Sequence, residues 1–319
     1  MSLSYNEDVT PELLRVIHPQ DYISALALHN VRGDGRQFDA MRPLELALGT
    51  VSSAEGSATA RIGNTTVVAG AKVEIGAPLA SAPGHGFVIP NVIITGGSSS
   101  EAGRLAPSGL PSDQAQVLSK RLADYLLQSG CVDMSQLCVH EGQCVMVVYL
   151  DIVCVAYDGG LLDAALAAAV GALRDLALPN ITFDTSTGTA SLQAAPAGAQ
   201  PRRLTLRSVP MSLSFGMVPA SASLAGQATD SPLARPLLLV DPTADEEVVS
   251  TGVGSVLSLG SDRWLGFTLA AGTVVGGATS AAVRQVEPRG FGLLSLLNDA
   301  VCAGVAARRA ALLKQLSIV

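Results

Sequence analysis

Charge is scarce in this sequence and aromatic rings are scarcer: Asp, Glu, Lys and Arg make up 15% of 319 residues, Phe, Trp and Tyr 4%. Disorder does not follow, because 48% of the residues are hydrophobic and Ala and Gly are abundant, a composition suited to tight small-residue packing. The length exceeds the usual size of one compact core, so two packed domains or one large α/β unit is expected. No long unbroken apolar run exists. The best, Cys144 to Tyr157, is interrupted by Asp151 and is shorter than the roughly 20 residues of a spanning helix, so no membrane segment is expected. The first residues carry Glu7, Asp8 and Glu12 in place of a basic stretch followed by an apolar one. A secretory signal is therefore not visible, and an intracellular setting is expected. Paired cysteines are missing too: Cys131, Cys138, Cys144, Cys154 and Cys302 form no C-x-x-C, and an odd count without a signal favours free, mostly buried thiols. Cys138, His140 and Cys144 are the one conceivable metal set, but their spacing is looser than that of zinc pairs, so packing is the preferred reading. Neither a metal nor a cofactor is expected.

A basic surplus is also lacking, with 20 Lys and Arg against 27 Asp and Glu, a net charge of −7. Beyond a Debye length of about 8 Å the chain repels a phosphate backbone, so any RNA contact must come from a local basic patch or from neighbouring chains.

Along the chain, Pro11 to Ile17 is a short helical candidate with Thr10 as N-cap, and Val31-Arg-Gly-Asp-Gly-Arg36 reads as a loop. Strand-like runs follow at 44–48, 57–62, 65–73 and 87–95, punctuated by Gly49, Gly56, Gly63 and Asn64. A Gly, Ser and Pro-rich loop from Gly96 to Pro111 feeds a helix over 113–128. Residues 144–155 form a buried strand, Tyr157-Asp-Gly-Gly160 a turn, and 161–176 an Ala- and Leu-rich helix. The Thr, Ala, Gly and Pro-rich stretch 185–203 is the best linker. It divides an N-terminal extension (1–24) and a first domain (25–184) from a second domain (204–319). The latter carries strands at 204–209, 211–218, 237–240, 247–259 and 264–270, a low-complexity loop at 219–236, and a helix from about 290 to 316.

Arg32-Gly-Asp-Gly-Arg36, then Arg42-Pro43, Glu55-Gly-Ser-Ala58 and Gly63-Asn-Thr-Thr-Val67, taken in that order and spacing, resemble the opening of the RNase PH family. His18-Pro-Gln-Asp-Tyr22, Val88-Ile-Pro-Asn-Val92, Gln114-Ala-Gln-Val117, Tyr149-Leu-Asp151, Tyr157-Asp-Gly159 with Leu162-Asp-Ala164, and Val240-Asp-Pro-Thr243 narrow it. From near residue 18 to near residue 310 the chain resembles the RNase PH-like ring subunits of the eukaryotic RNA exosome. The resemblance implies an α/β (α+β) fold of two four-stranded mixed sheets packed with paired helices. It implies assembly with five related subunits, the closest of the ribosomal RNA-processing protein 46 type, under S1/KH cap subunits. It also implies RNA passing through the ring, and residence in nucleus, nucleolus and cytoplasm.

Active members cleave RNA from its 3′ end with inorganic phosphate, which demands a phosphate cradle and carboxylates. The family's cradle is a Thr-Arg pair just after the D-G-G turn; here Leu161 and Leu162 stand there, with neither hydrogen-bond donors nor charge, and Asp163 beside them repels an anion. The family's two aspartates, six residues apart, fall on Pro242 and Val248 in the natural register. A slip of one residue gives Asp241 and Glu247 instead. Asp241-Pro-Thr243 reads equally as a strand-ending turn, with Asp241 capping its own backbone and Glu246 and Glu247 solvated. No catalytic residue is expected. Arg32, Asp34 and Arg36 read as an ion-pair lattice in preference to an RNA contact.

A nucleophile elbow, a Walker A loop, an H-E-x-x-H, a dinucleotide fingerprint, and RRM or KH signatures are all missing. What the chain carries is best read as a scaffolding ring subunit. An active phosphorolytic exoribonuclease and a stand-alone RNA-binding adaptor remain as alternatives. Arg104, in the loop before the first long helix, is the first candidate for a phosphate contact with a threaded strand. Arg121 on that helix is second, since an ion pair with Asp124 competes for it. High apolar content and an Ala-rich surface are expected to need covering by partners.

Overall fold

The computed structural model describes residues 11–28, 31–94, 113–185, 187, 189–193, 202–218, 237–259, 264–271, 284–286 and 299–316. The chain opens with two helices, α1 (Pro11–Ile17) and α2 (Pro19–Leu28), where the sequence suggested one. The reason is Pro19: it lacks an N–H and disfavours helical backbone at His18, yet fits the first position of a new helix. Four strands follow, β1 (Leu44–Leu48), β2 (Gly56–Ile62), β3 (Thr65–Gly76) and β4 (Phe87–Ile94), then α3 (Asp113–Ser129). A 3-10 turn at Met134–Leu137 leads into β5 (Cys138–His140), β6 (Cys144–Ala156) and α4 (Leu161–Asp175).

Four short strands come next: β7 (Ala177–Leu178), β8 (Asn180–Asp184), β9 (Thr189–Gln193) and β10 (Arg202–Arg203). The chain closes with β11 (Met211–Val218), β12 (Leu237–Val240), α5 (Ala244–Val249), β13 (Gly252–Ser258), β14 (Trp264–Ala271), β15 (Arg284–Val286) and α6 (Asp299–Gln315).

The first sheet runs β1-β2-β3-β6-β4, with β5 paired to β6; only β4 and β6 are parallel. The second runs β12-β11-β13-β14-β15 and is antiparallel throughout its described strands. The α/β class stands; among the described residues the sheets carry six and five strands where four each were expected, and only the first contains a parallel pair. Within 185–203, read as a linker, β9 pairs with β8 as a hairpin and β10 pairs with β7.

Two further expectations change. Residues 204–209 form no strand but one bridge, Val132 to Leu206, while Leu204 is fully buried in the core. The run from Glu247 to Leu259 splits into the end of α5 and β13. The C-terminal helix is described over Asp299–Gln315; residues 290–298 lie outside those described, as do the 96–111 and 219–236 loops.

α4 occupies the centre. Every residue from Leu161 through Leu173 is buried, which requires neighbours on all sides of the helix. It packs on β1, β2 and β3 of the first sheet and on β11 of the second. One continuous core results, joining Leu44, Val67, Leu150 and Leu166 to Leu213, Leu257 and Leu312. The alanines of α4 are thus interior, and their short side chains allow close approach to the sheet. Exposed apolar residues sit elsewhere, among them Ile89 and Ile93 of β4 and Tyr149 and Val155 of β6. Among the described residues no helix is long and apolar enough to cross a membrane.

The closeness of α4 to β2 gives a test. A Cβ on Gly56 would lie 2.6 Å from the Ala172 carbonyl and the Leu176 Cα, whereas one on Gly70 would meet only Ala54 Cβ at 3.6 Å. Thermal or urea unfolding should show Gly56→Ala destabilised by about 1–3 kcal/mol or more through overpacking. Gly70→Ala should stay within about 0.5 kcal/mol of the parent.

Candidate functional site

Three separated segments converge where the first sheet meets the second: the Arg32–Arg42 loop, the Tyr157–Gly160 turn before α4, and the Asp241–Glu247 segment that links β12 to α5. A Cβ on Gly159 (φ +77°) would lie 2.2 Å from the Pro242 carbonyl oxygen, so the D-G-G turn rests directly on the Asp241-Pro242 turn. Only glycine satisfies both the left-handed backbone and that approach. Thr65 ties the turn to β3, accepting from the Asp158 N–H at 2.9 Å and donating to the Gly159 carbonyl at 2.7 Å.

Asp241 is the hub. It is fully buried and has φ of +51°, the one non-glycine positive φ among the described residues. Arg42 donates its backbone N–H to Oδ2 at 2.7 Å and its Nη2 to Oδ1 at 2.7 Å. Arg308, from α6, donates Nη2 to Oδ2 at 2.9 Å, and Arg36 stands 3.6 Å from the same oxygen. Burial pushes the Asp241 carboxyl up. The Arg42 hydrogen bonds with the Arg308 and Arg42 charges outweigh it and bring the pKa to about 2.

The loop arginines do more than neutralise. Arg32, 3% exposed, forks onto the Glu246 carboxylate and donates to the carbonyls of Val240 and Asp241 at 2.7 and 2.9 Å. Arg36 pairs with Asp34 and donates to the Ala40 carbonyl at 3.0 Å. Arg42 reaches the Asp158 carbonyl at 2.7 Å. The lattice expected of Arg32, Asp34 and Arg36 exists, and its long-range partners lie on the β12–α5 segment. Glu246 is correspondingly buried and Glu247 half-buried, both held by protein groups, and Asp241 binds guanidinium groups instead of capping its own backbone. Glu246 accepts from the Thr243 N–H at 2.8 Å, closing a capping box at the start of α5. Glu247 accepts from the Gly160 N–H at 2.9 Å and from the Tyr157 hydroxyl. Burial raises the Glu247 carboxyl against those hydrogen bonds, and raises Tyr157 as well, reinforced by the Glu247 charge. Among the described residues no three His, Cys, Asp or Glu side chains are grouped to hold a metal ion.

Residues 40–179 match the 3′ exoribonuclease family, domain 1, of RNase PH. The chain is 37% identical over 175 residues to exosome complex component rrp43 of Schizosaccharomyces pombe, covering 55% of this chain and 63% of that one. It is 36% identical over 178 residues to exosome complex component Rrp42 of Methanocella arvoryzae, covering 56% and 65%. It is also 30% identical over 236 residues to Rrp42 of Thermococcus onnurineus, covering 73% and 76%. The chain belongs to the RNase PH family. The first two of these matches span just under two thirds of the relatives' own lengths. A solved structure described as the Archaeoglobus fulgidus exosome with RNA bound to the active site superposes with a TM-score of 0.68 at 25% identity, covering 92% of this chain and 96% of that one.

Against the RNase PH pattern, Leu161 and Leu162 open α4 as buried side chains, 8% and 5% exposed, packed into the common core. Pro242 is buried beside the D-G-G turn, and Val248 is 43% exposed on α5. The register shifted by one residue names Asp241 and Glu247, both engaged by protein groups. Arg104 lies outside the described residues. Arg121 is half-buried on α3, and its rival Asp124 pairs with Lys120 at 3.0 Å. Sequence reasoning missed Arg42 and Arg308 as partners of Asp241, and Tyr157 as a partner of Glu247. Arg42-Pro43 was visible as a motif, but nothing local points 199 residues ahead.

Asp241→Asn should cost about 3–5 kcal/mol, because two buried guanidinium groups lose their counter-charge, while Val248→Ala should stay within about 0.5 kcal/mol. The pH dependence has a definite sign. With its folded pKa below the ordinary 3.8, Asp241 stabilises the protein above that value and loses its contribution as pH falls toward about 2. Asp163 and Glu247, whose carboxyls burial raises, act oppositely and become less unfavourable on acidification. Denaturation curves across the acid range should show the Asp241 loss in the parent and none of that component in Asp241→Asn.

Proposed function

We propose that this chain is a catalytically silent ring subunit of the eukaryotic RNA exosome, of the ribosomal RNA-processing protein 43 type. It supports assembly of the ring and the passage of RNA toward a separate nuclease for 3′-to-5′ RNA and ribosomal RNA processing. The observation that carries the silence is the start of α4. An attacking phosphate needs a hydroxyl and a guanidinium fork after the D-G-G turn, and the chain has two core leucines there. The nearby Gly160 N–H already donates to Glu247, whose carboxylate also repels a second anion. Asp241, the acidic residue a shifted register would offer, is saturated by Arg42 and Arg308. Releasing it for a metal or for proton transfer would break the clamp between the loop and α6.

The proposed partners are other RNase PH-like ring subunits, nearest the ribosomal RNA-processing protein 46 type, together with S1/KH cap subunits and RNA. Nucleus, nucleolus and cytoplasm are the proposed locations. Support for obligate association comes from the outer side of the first sheet, where Ile89, Ile93, Tyr149 and Val155 are 39–55% exposed. RNA contact is assigned first to Arg104 and then to Arg121, because a net charge of −7 leaves no broad basic face.

Purified protein incubated with a 3′-ended RNA and inorganic phosphate should release no nucleoside diphosphates. Release that Asp241→Asn abolishes, with the variant's fold verified, would establish an active phosphorolytic enzyme. Native mass should place the chain in a hetero-oligomer with RNase PH-like partners; a stable monomer at micromolar concentration with no affinity for them would instead support an adaptor. In the assembled ring, Arg104→Ala should weaken RNA binding equally across sequences and lower the salt slope by about one counterion or less. An unchanged slope removes Arg104 from the RNA path.

A further inference from the structure

Arg308 is 6% exposed and uses only part of its guanidinium. Nη2 donates to Asp241 Oδ2 at 2.9 Å and to the Arg42 carbonyl, whereas the buried Nε and Nη1 have no hydrogen-bond partner among the protein atoms. Leaving a charged donor unsatisfied in the interior costs about 1–3 kcal/mol or more. Arg308 also lines a small pocket of about 10 Å³, where Asp163 and Ser212 are the other polar members of a wall otherwise made of apolar side chains such as Ala167, Pro210 and Leu312. That is the space the centre of one water molecule needs, and too little for a larger ligand.

Asp163 supplies the complementary acceptor. It is 4% exposed and already accepts from Ser212 Oγ at 2.7 Å, Ser214 N at 2.8 Å and Ser214 Oγ at 3.0 Å. Its Oδ2 stands 3.9 Å from Arg308 Nη1, beyond hydrogen-bond length. We propose that this cavity is a binding site for one internal water, which accepts from Arg308 and donates to Asp163. The water completes a polar relay from Asp241 through Arg308 to Asp163, and so fastens α6 to both α4 and β11. A monovalent anion such as chloride is the other small occupant that would accept from a guanidinium. The Asp163 carboxylate on the cavity wall opposes it.

Two measurements decide the matter. In a crystal structure of the full chain, alone or with its co-purified partners, at about 2 Å resolution or better, a single peak should lie within about 3.2 Å of Arg308 Nη1 or Nε and of Asp163 Oδ2. After a bromide soak it should carry no anomalous signal. An empty cavity, or a bromide peak, overturns the proposal. Near-isosteric substitutions at Ala167 give an independent readout. Ala167→Ser can replace the water with a hydroxyl, and should hold the Tm of the parent. Ala167→Cys expels the water without replacing its hydrogen bonds, and should lower Tm by about 2–4 °C. The reverse order, with Cys the more stable, would mark a dry apolar cavity and refute the relay.

Discussion

The burial of one carboxylate, Asp241, sets the terms for the rest of the molecule. A lone ionised carboxylate in the interior is costly enough that it must be paired and hydrogen-bonded or lose its charge. Here the pairing is supplied from far along the chain, by Arg42 on the segment before β1 and Arg308 on α6. Because removing one partner leaves the others as uncompensated buried charges, the cluster holds or fails as a unit. The first sheet, the second sheet and the C-terminal helix are therefore registered against one another by directional charge-assisted bonds, where the surrounding core of Leu, Val and Ala offers only non-directional attraction.

The R-G-D-G-R loop, the D-G-G turn and the carboxylates after β12 are all present, and each polar group is spent on another. Arg32 holds Glu246, Arg42 holds Asp241, and Gly160 with Tyr157 holds Glu247. Low dielectric strengthens each of these pairs and penalises any rearrangement that would expose one member to a ligand. Meanwhile Leu161 and Leu162 turn the start of α4 inward, into the common core.

Much of the fold was legible in the sequence because local signals and tertiary packing agree. β1, β3, β4, β6 and α4 lie within a few residues of their expected bounds, since alternation, turn glycines and a continuous apolar helix all point the same way. Where the reading failed, a local signal had been outweighed. The helix expected over Pro11 to Ile17 is followed by a second that Pro19 opens, at the first helical position where a missing N–H costs nothing. The Val-rich run from Glu247 onward suggested a strand, yet Thr243-Ala-Asp-Glu246 is a capping-box pattern that announced α5. The burial of Leu161 and Leu162 was legible in the apolar helix they open. The fates of Asp241 and Glu247 were not, because their partners stand 199 and 90 residues away and only the closed fold brings them together.

The central claim is that the polar groups around the D-G-G turn serve the fold and leave no cradle for phosphate. Titrating the purified chain with inorganic phosphate, followed by ³¹P NMR line broadening or calorimetry at neutral pH, tests this without relying on RNA or on partner subunits. The account predicts no saturable binding at millimolar phosphate. Saturable binding that weakens when Gly160 or Glu247 is altered would contradict it.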